Sequence, residues 1–126
     1  MKSTERSKNL KQSLVGTDSY ILTHTSYQGK DRVKIDLSSW RDKPYEGKIV
    51  ELSPSLTDNV TDYYDLILGA SEIHCIPSSM HCLVDSIYDE VLGKMFIHDI
   101  RIDTKMHFNN KWNNGCWVWV RYDEKE

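Results

Sequence analysis

Short apolar runs alternate along this chain with stretches in which apolar residues recur every three or four positions. Residues 20–25 (YILTHT) and 48–52 (KIVEL) are β-rich runs bounded by polar loops, the pattern of short strands. Residues 72–76 (EIHCI) carry no charge after the first position, which predicts a central, buried strand. Strand character returns over 95–102 and again over 117–120 (WVWV), and 33–37 predict a short edge strand. Between the strands the period changes. Leu10 and Leu14 lie four apart in a polar stretch, 3–15, that Gly16 stops, predicting one short, weakly amphipathic helix. Val60, Tyr63, Tyr64, Ile67 and Leu68 form a helical face that Thr57 or Asp58 can cap, with Gly69 near its end. Met80, Leu83, Val84 and Ile87 form another, which opens at Ser78-Ser79 directly after Pro77. Strands alternating with helices predict an α/β, Rossmann-like three-layer domain with a mainly parallel sheet and a C-terminal β extension. Ile21, Ile49, Ile67, Ile73, Cys75, Leu83, Val84 and Ile87 are its expected core.

Open parallel sheets bind ligands beyond the carboxyl ends of their strands. That rule gathers His24-Thr25, the loop 53–58 (SPSLTD) and Ser78-Ser79 on one edge. A strand that runs through two hydroxyl residues into a helix suits an anion, because the first N–H groups of a helix lack internal partners and its dipole favours negative charge. Serine after proline is equally a plain helix cap. Asp62, in the first turn of its helix, is either a solvated carboxylate favoured by the dipole or a ligand contact. His24, at a strand's carboxyl end, is either an ordinary polar residue or part of a site.

Composition narrows the classes. A chain of 126 residues fits one domain, 1–126, with a single core. The net charge of -3 gives no electrostatic footprint for nucleic acid. No apolar run approaches the ~18–20 residues that span a bilayer, and the basic N-terminus has no apolar stretch behind it, so neither membrane insertion nor a signal peptide is expected. The three cysteines, Cys75, Cys82 and Cys116, cannot all pair and none sits in a CxxC, which points to reduced thiols and a cytoplasmic setting.

His74-Cys75 and His81-Cys82 invite a zinc reading that their spacing opposes. Adjacent strand residues point to opposite faces, and neighbours on a helix diverge by ~100°, whereas a structural site needs four convergent ligands. Packed imidazoles and buried thiols are expected instead, with no metal. Cys75 with His24 on a neighbouring strand would make a nucleophilic pair, but a mid-strand thiol has nothing there to lower its pKa. Trp112, Trp117 and Trp119 fit a sugar-stacking platform, packing against a helix layer, or contact with a second subunit.

The stretch TDYYDLILGASEIHCIPSSMHCLVDSIYD resembles the donor-nucleotide half of GT-B-type glycosyltransferases, in particular the fucosyltransferase-like group that includes nodulation and core fucosyltransferases. In that group a carboxylate-bearing helix leads into an A-x-E-I-H-C-x-x-S-S strand, matched here by Asp62 and then by Ala70, Glu72, Ile73, His74, Cys75, Ser78 and Ser79. The resemblance extends over residues 20–88 and is clearest over the second half of that span. It implies binding of a nucleotide-diphosphate sugar, commonly a GDP sugar, without a metal or other cofactor. Ser78 and Ser79 match the serines that meet the diphosphate, and Asp62 matches the carboxylate that meets the base. Arg32 or Lys30 would supply positive charge, since the group's H-x-R-R motif is absent. The group also carries an N-terminal Rossmann-like domain that builds the acceptor side, and this chain begins where that domain would already have ended.

Two functions follow as expectations. One is a glycosyltransferase-like domain that binds the sugar nucleotide and, when catalytic, transfers a hexose to a hydroxyl acceptor. The alternative is a non-catalytic half-domain serving as a binding or assembly module. Either way the acceptor-side surface would be uncovered, and burying the C-terminal tryptophans against a second copy predicts a homodimer.

Overall fold

A computed structural model describes residues 1–26, 33–37, 41–99 and 116–121. Its helices are α1 (Glu5–Leu14), α2 (Tyr64–Gly69) and α3 (Ser79–Asp85), and its strands are β1 (Tyr20–His24), β2 (Lys48–Glu51), β3 (Glu72–Cys75), β4 (Lys94–Asp99) and β5 (Trp117–Arg121). The five strands form one sheet in the order β2-β1-β3-β4-β5, every neighbouring pair parallel. The protein is therefore α/β and Rossmann-like. The C-terminal β segment is the outermost parallel strand.

Local chemistry sets the helix ends. Thr4 caps α1 through a reciprocal pair with Ser7: Ser7 N–H donates to Thr4 Oγ1 at 3.0 Å, and Thr4 N–H donates to Ser7 Oγ at 2.8 Å. Gly16 stops the helix with φ +58°, a conformation in which a side chain is strained. The expected helix before β3 is split, with a 3-10 turn, Val60–Tyr63, leading into α2. Its cap is neither Thr57 nor Asp58 but Asn59, whose Oδ1 accepts from Thr61 N–H at 3.1 Å.

Strand alternation divides the sheet into two unlike faces. On one, Tyr20, Leu22, Ile73, Cys75, Met95, Ile97 and Trp117 pack against Val15, Leu66, Ile67, Val84 and Ile87 from the α1–α3 side. Parallel strands joined by right-handed crossovers put α2 and α3 on the same side, since both connections move in one direction across the sheet. The opposite face carries Ile21, Thr23, His74, Phe96 and His98, all buried, beside Glu51 and Glu72. Part of the β1–β2 crossover lies over it: Val33 N–H donates to Thr25 O at 2.8 Å.

Several expectations change here. Residues 33–37 belong to no strand of the sheet. Ile49 is not core: β2 is the edge strand, and Ile49 is 49% exposed on the face opposite α1–α3. Leu83 is only partly buried, whereas Ile21, Ile67, Ile73, Cys75, Val84 and Ile87 are buried. Among the described residues no helix is long and apolar enough to cross a membrane.

Candidate functional site

From β1 the chain leaves toward β2, on one side, and from β3 it leaves toward β4, on the other. The strand order therefore reverses direction between β1 and β3, and their carboxyl edge is the place where open parallel sheets form a ligand crevice. Ile76 N–H donates to His24 O at 3.1 Å, so β1 and β3 stay paired up to that crevice. There His24 Nδ1 and Ser78 Oγ lie 3.2 Å apart. Ser78 Oγ also accepts from His81 N–H at 3.4 Å and so caps α3, a helix of seven residues. Ser79, one position on, is exposed. Burial lowers the pKa of His24, and the nearby Glu51 only partly offsets this. The imidazole is therefore neutral at neutral pH, and either tautomer satisfies its contact with Ser78.

Glu51 ends β2 beside this pair and was not legible as a site residue. Its Oε1 accepts from Thr23 Oγ1 at 2.6 Å and from Thr25 Oγ1 at 3.0 Å, and its Oε2 accepts from Thr25 N–H at 2.9 Å. The sequence holds one signal for it, a carboxylate closing the KIVEL run; only the parallel register, Thr23 opposite Glu51, shows what it meets.

Asp62 lies elsewhere in the contact network. Its side chain is 5% exposed, and its Oδ2 takes a hydrogen bond from Thr57 Oγ1 at 2.5 Å and an ion pair from Arg6 at 2.9 Å. That arrangement ties the start of the 3-10 turn to α1. Arg32 lies outside the described residues, as do Lys30 and Trp112.

Cys75 sits opposite His24 in the β1–β3 register, yet it is no nucleophile. It is fully buried, and burial, with a smaller push from Glu51, holds the thiol far above its ordinary pKa. His81 is buried edge-on to Trp117, with ring centroids 4.6 Å apart, while Trp117 Nε1–H donates to Asp85 Oδ1 at 2.9 Å. Trp117 is only 5% exposed, so it offers neither a sugar platform nor an uncovered surface for a second copy. Among the described residues no group of three or more His, Cys, Asp or Glu side chains is placed to hold a metal.

Glu72 and His74, the carboxylate and imidazole of the EIHC run, face away from His24 and Ser78. On the opposite side of the sheet His74 stacks on Phe96, ring centroids 4.6 Å apart and planes within 4°. Its Nδ1 pairs with His98 Nε2 at 2.8 Å and its Nε2 with Glu72 Oε1 at 2.8 Å. Glu72 Oε1 also binds the Arg41 guanidinium. The expectation of a packed imidazole describes half of this environment; the polar half needed β4 and the crossover in place.

No protein-family model, curated protein or solved structure matches this chain.

Proposed function

We propose that this chain is a glycosyltransferase-like domain that binds a nucleotide-diphosphate sugar at the β1–β3 crevice. The observation that carries the reading is the pairing of His24 with Ser78, 3.2 Å apart, at the point where the strand order reverses direction. Ser78, the exposed Ser79 and the neutral His24 offer hydrogen-bonding groups to phosphate oxygens without a metal. The helix dipole adds little, because α3 has only two turns. In this reading Asp62 takes the base in exchange for its contacts with Arg6 and Thr57, and Arg32 supplies positive charge to the diphosphate. The catalytic form of the function is hexosyl transfer: the bond from the sugar's anomeric carbon to the diphosphate oxygen breaks as one to an acceptor hydroxyl forms.

Calorimetric titration of GDP, UDP and their sugars tests this directly. The unaltered chain should bind at least one at millimolar affinity or tighter. Ser78→Asp keeps a capping side chain but sets a negative charge against the phosphates. It should fold with an unchanged melting temperature and lose at least tenfold in affinity, since each hydrogen bond to a charged oxygen is worth ~1.5–3 kcal/mol. Absence of binding to every ligand, or equal binding by Ser78→Asp, overturns the proposal and leaves Ser78 as a helix cap.

A further inference from the structure

We infer that the β1–β3 crevice loads its diphosphate together with one proton: His24 takes the proton at Nδ1, and the Ser78 hydroxyl, turned round by it, gives its hydrogen to a phosphate oxygen. This rests on the reading of the crevice as a sugar-nucleotide site and adds how that site gains a positive charge of its own.

The two side chains are arranged so that a single proton resets both. Ser78 Oγ accepts from His81 N–H at 3.4 Å and lies 3.2 Å from His24 Nδ1. With His24 neutral and its hydrogen on Nε2, Nδ1 can only accept, so the Ser78 O–H donates to it and is spent inside the pair. A proton arriving at Nδ1 reverses that hydrogen bond. Nδ1–H then donates to Ser78 Oγ, both lone pairs of the oxygen are occupied, and the hydroxyl hydrogen is free to point at a ligand. Nε2 keeps its hydrogen in both states. It has no hydrogen-bond partner among the described residues and is not a buried atom, so it also serves what enters. The neutral pair offers a ligand one donor; the protonated pair offers two and a positive charge.

An empty crevice opposes the proton and a loaded one favours it. Burial holds the free imidazole below its ordinary 6.5, against a smaller opposite pull from Glu51 at the end of β2. Glu51 is engaged by Thr23 and Thr25, so it acts on His24 through its charge and not by contact. On β3 the register neighbour of His24 is Cys75, a thiol that burial keeps uncharged. On α3 the titratable groups are His81, Cys82 and Asp85, and none of them is among the causes that move His24. A diphosphate brings two negative charges up to Nε2–H in surroundings less polar than water, which turns the balance toward the imidazolium. Neither side chain has to move for this, because only hydrogens change place.

The linkage has a definite sign. Ligand that raises the His24 pKa must itself bind more tightly as pH falls through the range between the loaded and the empty value. Below the empty value the crevice already carries the proton, and affinity levels off. The proton comes from solvent at loading and returns to it at release, so the site is charged only while the diphosphate is there to balance it.

Calorimetric titration of GDP and UDP sugars into the whole chain, in two buffers of different ionisation enthalpy, counts the protons. Sugar nucleotides are the probe because their diphosphate is esterified at both ends and has no proton of its own to exchange near neutral pH. The unaltered chain should take up about half to one proton at about pH 7 and bind about fivefold more tightly at about pH 6.5 than at about pH 8. His24→Asn keeps an amide nitrogen in the place of Nδ1 but cannot titrate. It should bind more weakly, take up no proton and show the same affinity at both pH values. Binding by the unaltered chain without proton uptake, or equal uptake by His24→Asn, overturns the inference and leaves the sugar-nucleotide reading standing. Absence of binding to every sugar nucleotide removes both. Should the variant not fold, or bind too weakly for protons to be counted, the ring-nitrogen NMR shifts of His24 in the unaltered chain decide. A proton on Nδ1 in the loaded form alone supports the inference, and an unchanged ring overturns it.

Discussion

Tyr20 shows how a single polar atom is accommodated in this core. Its ring is buried, and its Oη reaches across to donate to Leu66 O at 2.6 Å. That carbonyl lies in α2, a helix of six residues whose last carbonyls have no helical partners. The phenol thus closes a helix end that no glycine motif closes, and burial, helped by Asp65, keeps it protonated far beyond its ordinary pKa. Tyr20→Phe keeps the ring and leaves the carbonyl short of a donor, so unfolding in urea should show ~1–2 kcal/mol lost with an unchanged m value. An unshifted midpoint would mean that another donor takes the carbonyl over. From sequence, Tyr20 reads only as the first residue of a β-rich run. A hydrogen bond to a residue so distant in the chain leaves no local trace, and the same is true of Glu51 with Thr23 and of His74 with His98. His24 and Ser78 were legible because each marks a strand's end, where local pattern and fold topology agree.

Elements join here by close approach. Gly93 leads into β4 directly against the backbone that leads into β3: a Cβ there would lie 2.2 Å from Ala70 O and 2.5 Å from Ser71 O. Neither atom is a flexible side-chain end, so the strand would have to move. Gly93→Ala should cost ~1–3 kcal/mol and lower the melting temperature, the usual result of overpacking. Retained stability would show that the β3–β4 register can slide. The alternation of β-rich runs with helical periods did predict every strand of the sheet, with β3 in the middle of it. It failed where period alone cannot decide. Val33, Ile35 and Leu37 alternate with polar residues as a strand does, but no strand of the sheet takes them as a partner, and the hydrophobic Ile49 falls on an edge.

At the scale of the whole molecule the histidines act together. His24, His74, His81 and His98 each have a pKa below the ordinary 6.5, with burial the first cause in every case, and His98 is pushed down to about 3. A group with a depressed pKa takes up its proton more readily in the unfolded chain, so the stability linked to it is complete above 6.5 and drains away as pH falls toward the folded value. Cys75 sets the opposite limit: burial raises its thiol above the ordinary 9.0, so its contribution is complete below that value and declines as pH rises past it. Urea midpoints should therefore hold level from about pH 7 to 8.5 and fall steadily from pH 6.5 to 5. A level profile down to pH 5 would show that the imidazoles are hydrated in the folded state.

The wholly parallel sheet has a consequence in time. Two neighbouring antiparallel strands can meet across a tight turn, but no strand pair among the described residues has that shortcut. Ile73 meets Met95 only after the polypeptide has travelled through α3, and Ile21 meets Glu72 only after β2 and α2 have intervened. Every ladder must thus be closed across a long loop whose entropy is lost before any contact repays it. A nucleus consistent with this topology is β3, α3 and β4, whose partners lie nearer in the chain than those of β1 with β2 or of β1 with β3, with β1 then filling the gap between it and the edge strand β2. Until β1 arrives, Ile73 and Cys75 present an unpaired strand edge to solvent, and it is in that interval, rather than in the finished fold, that the chain is most exposed to sticking to its own copies.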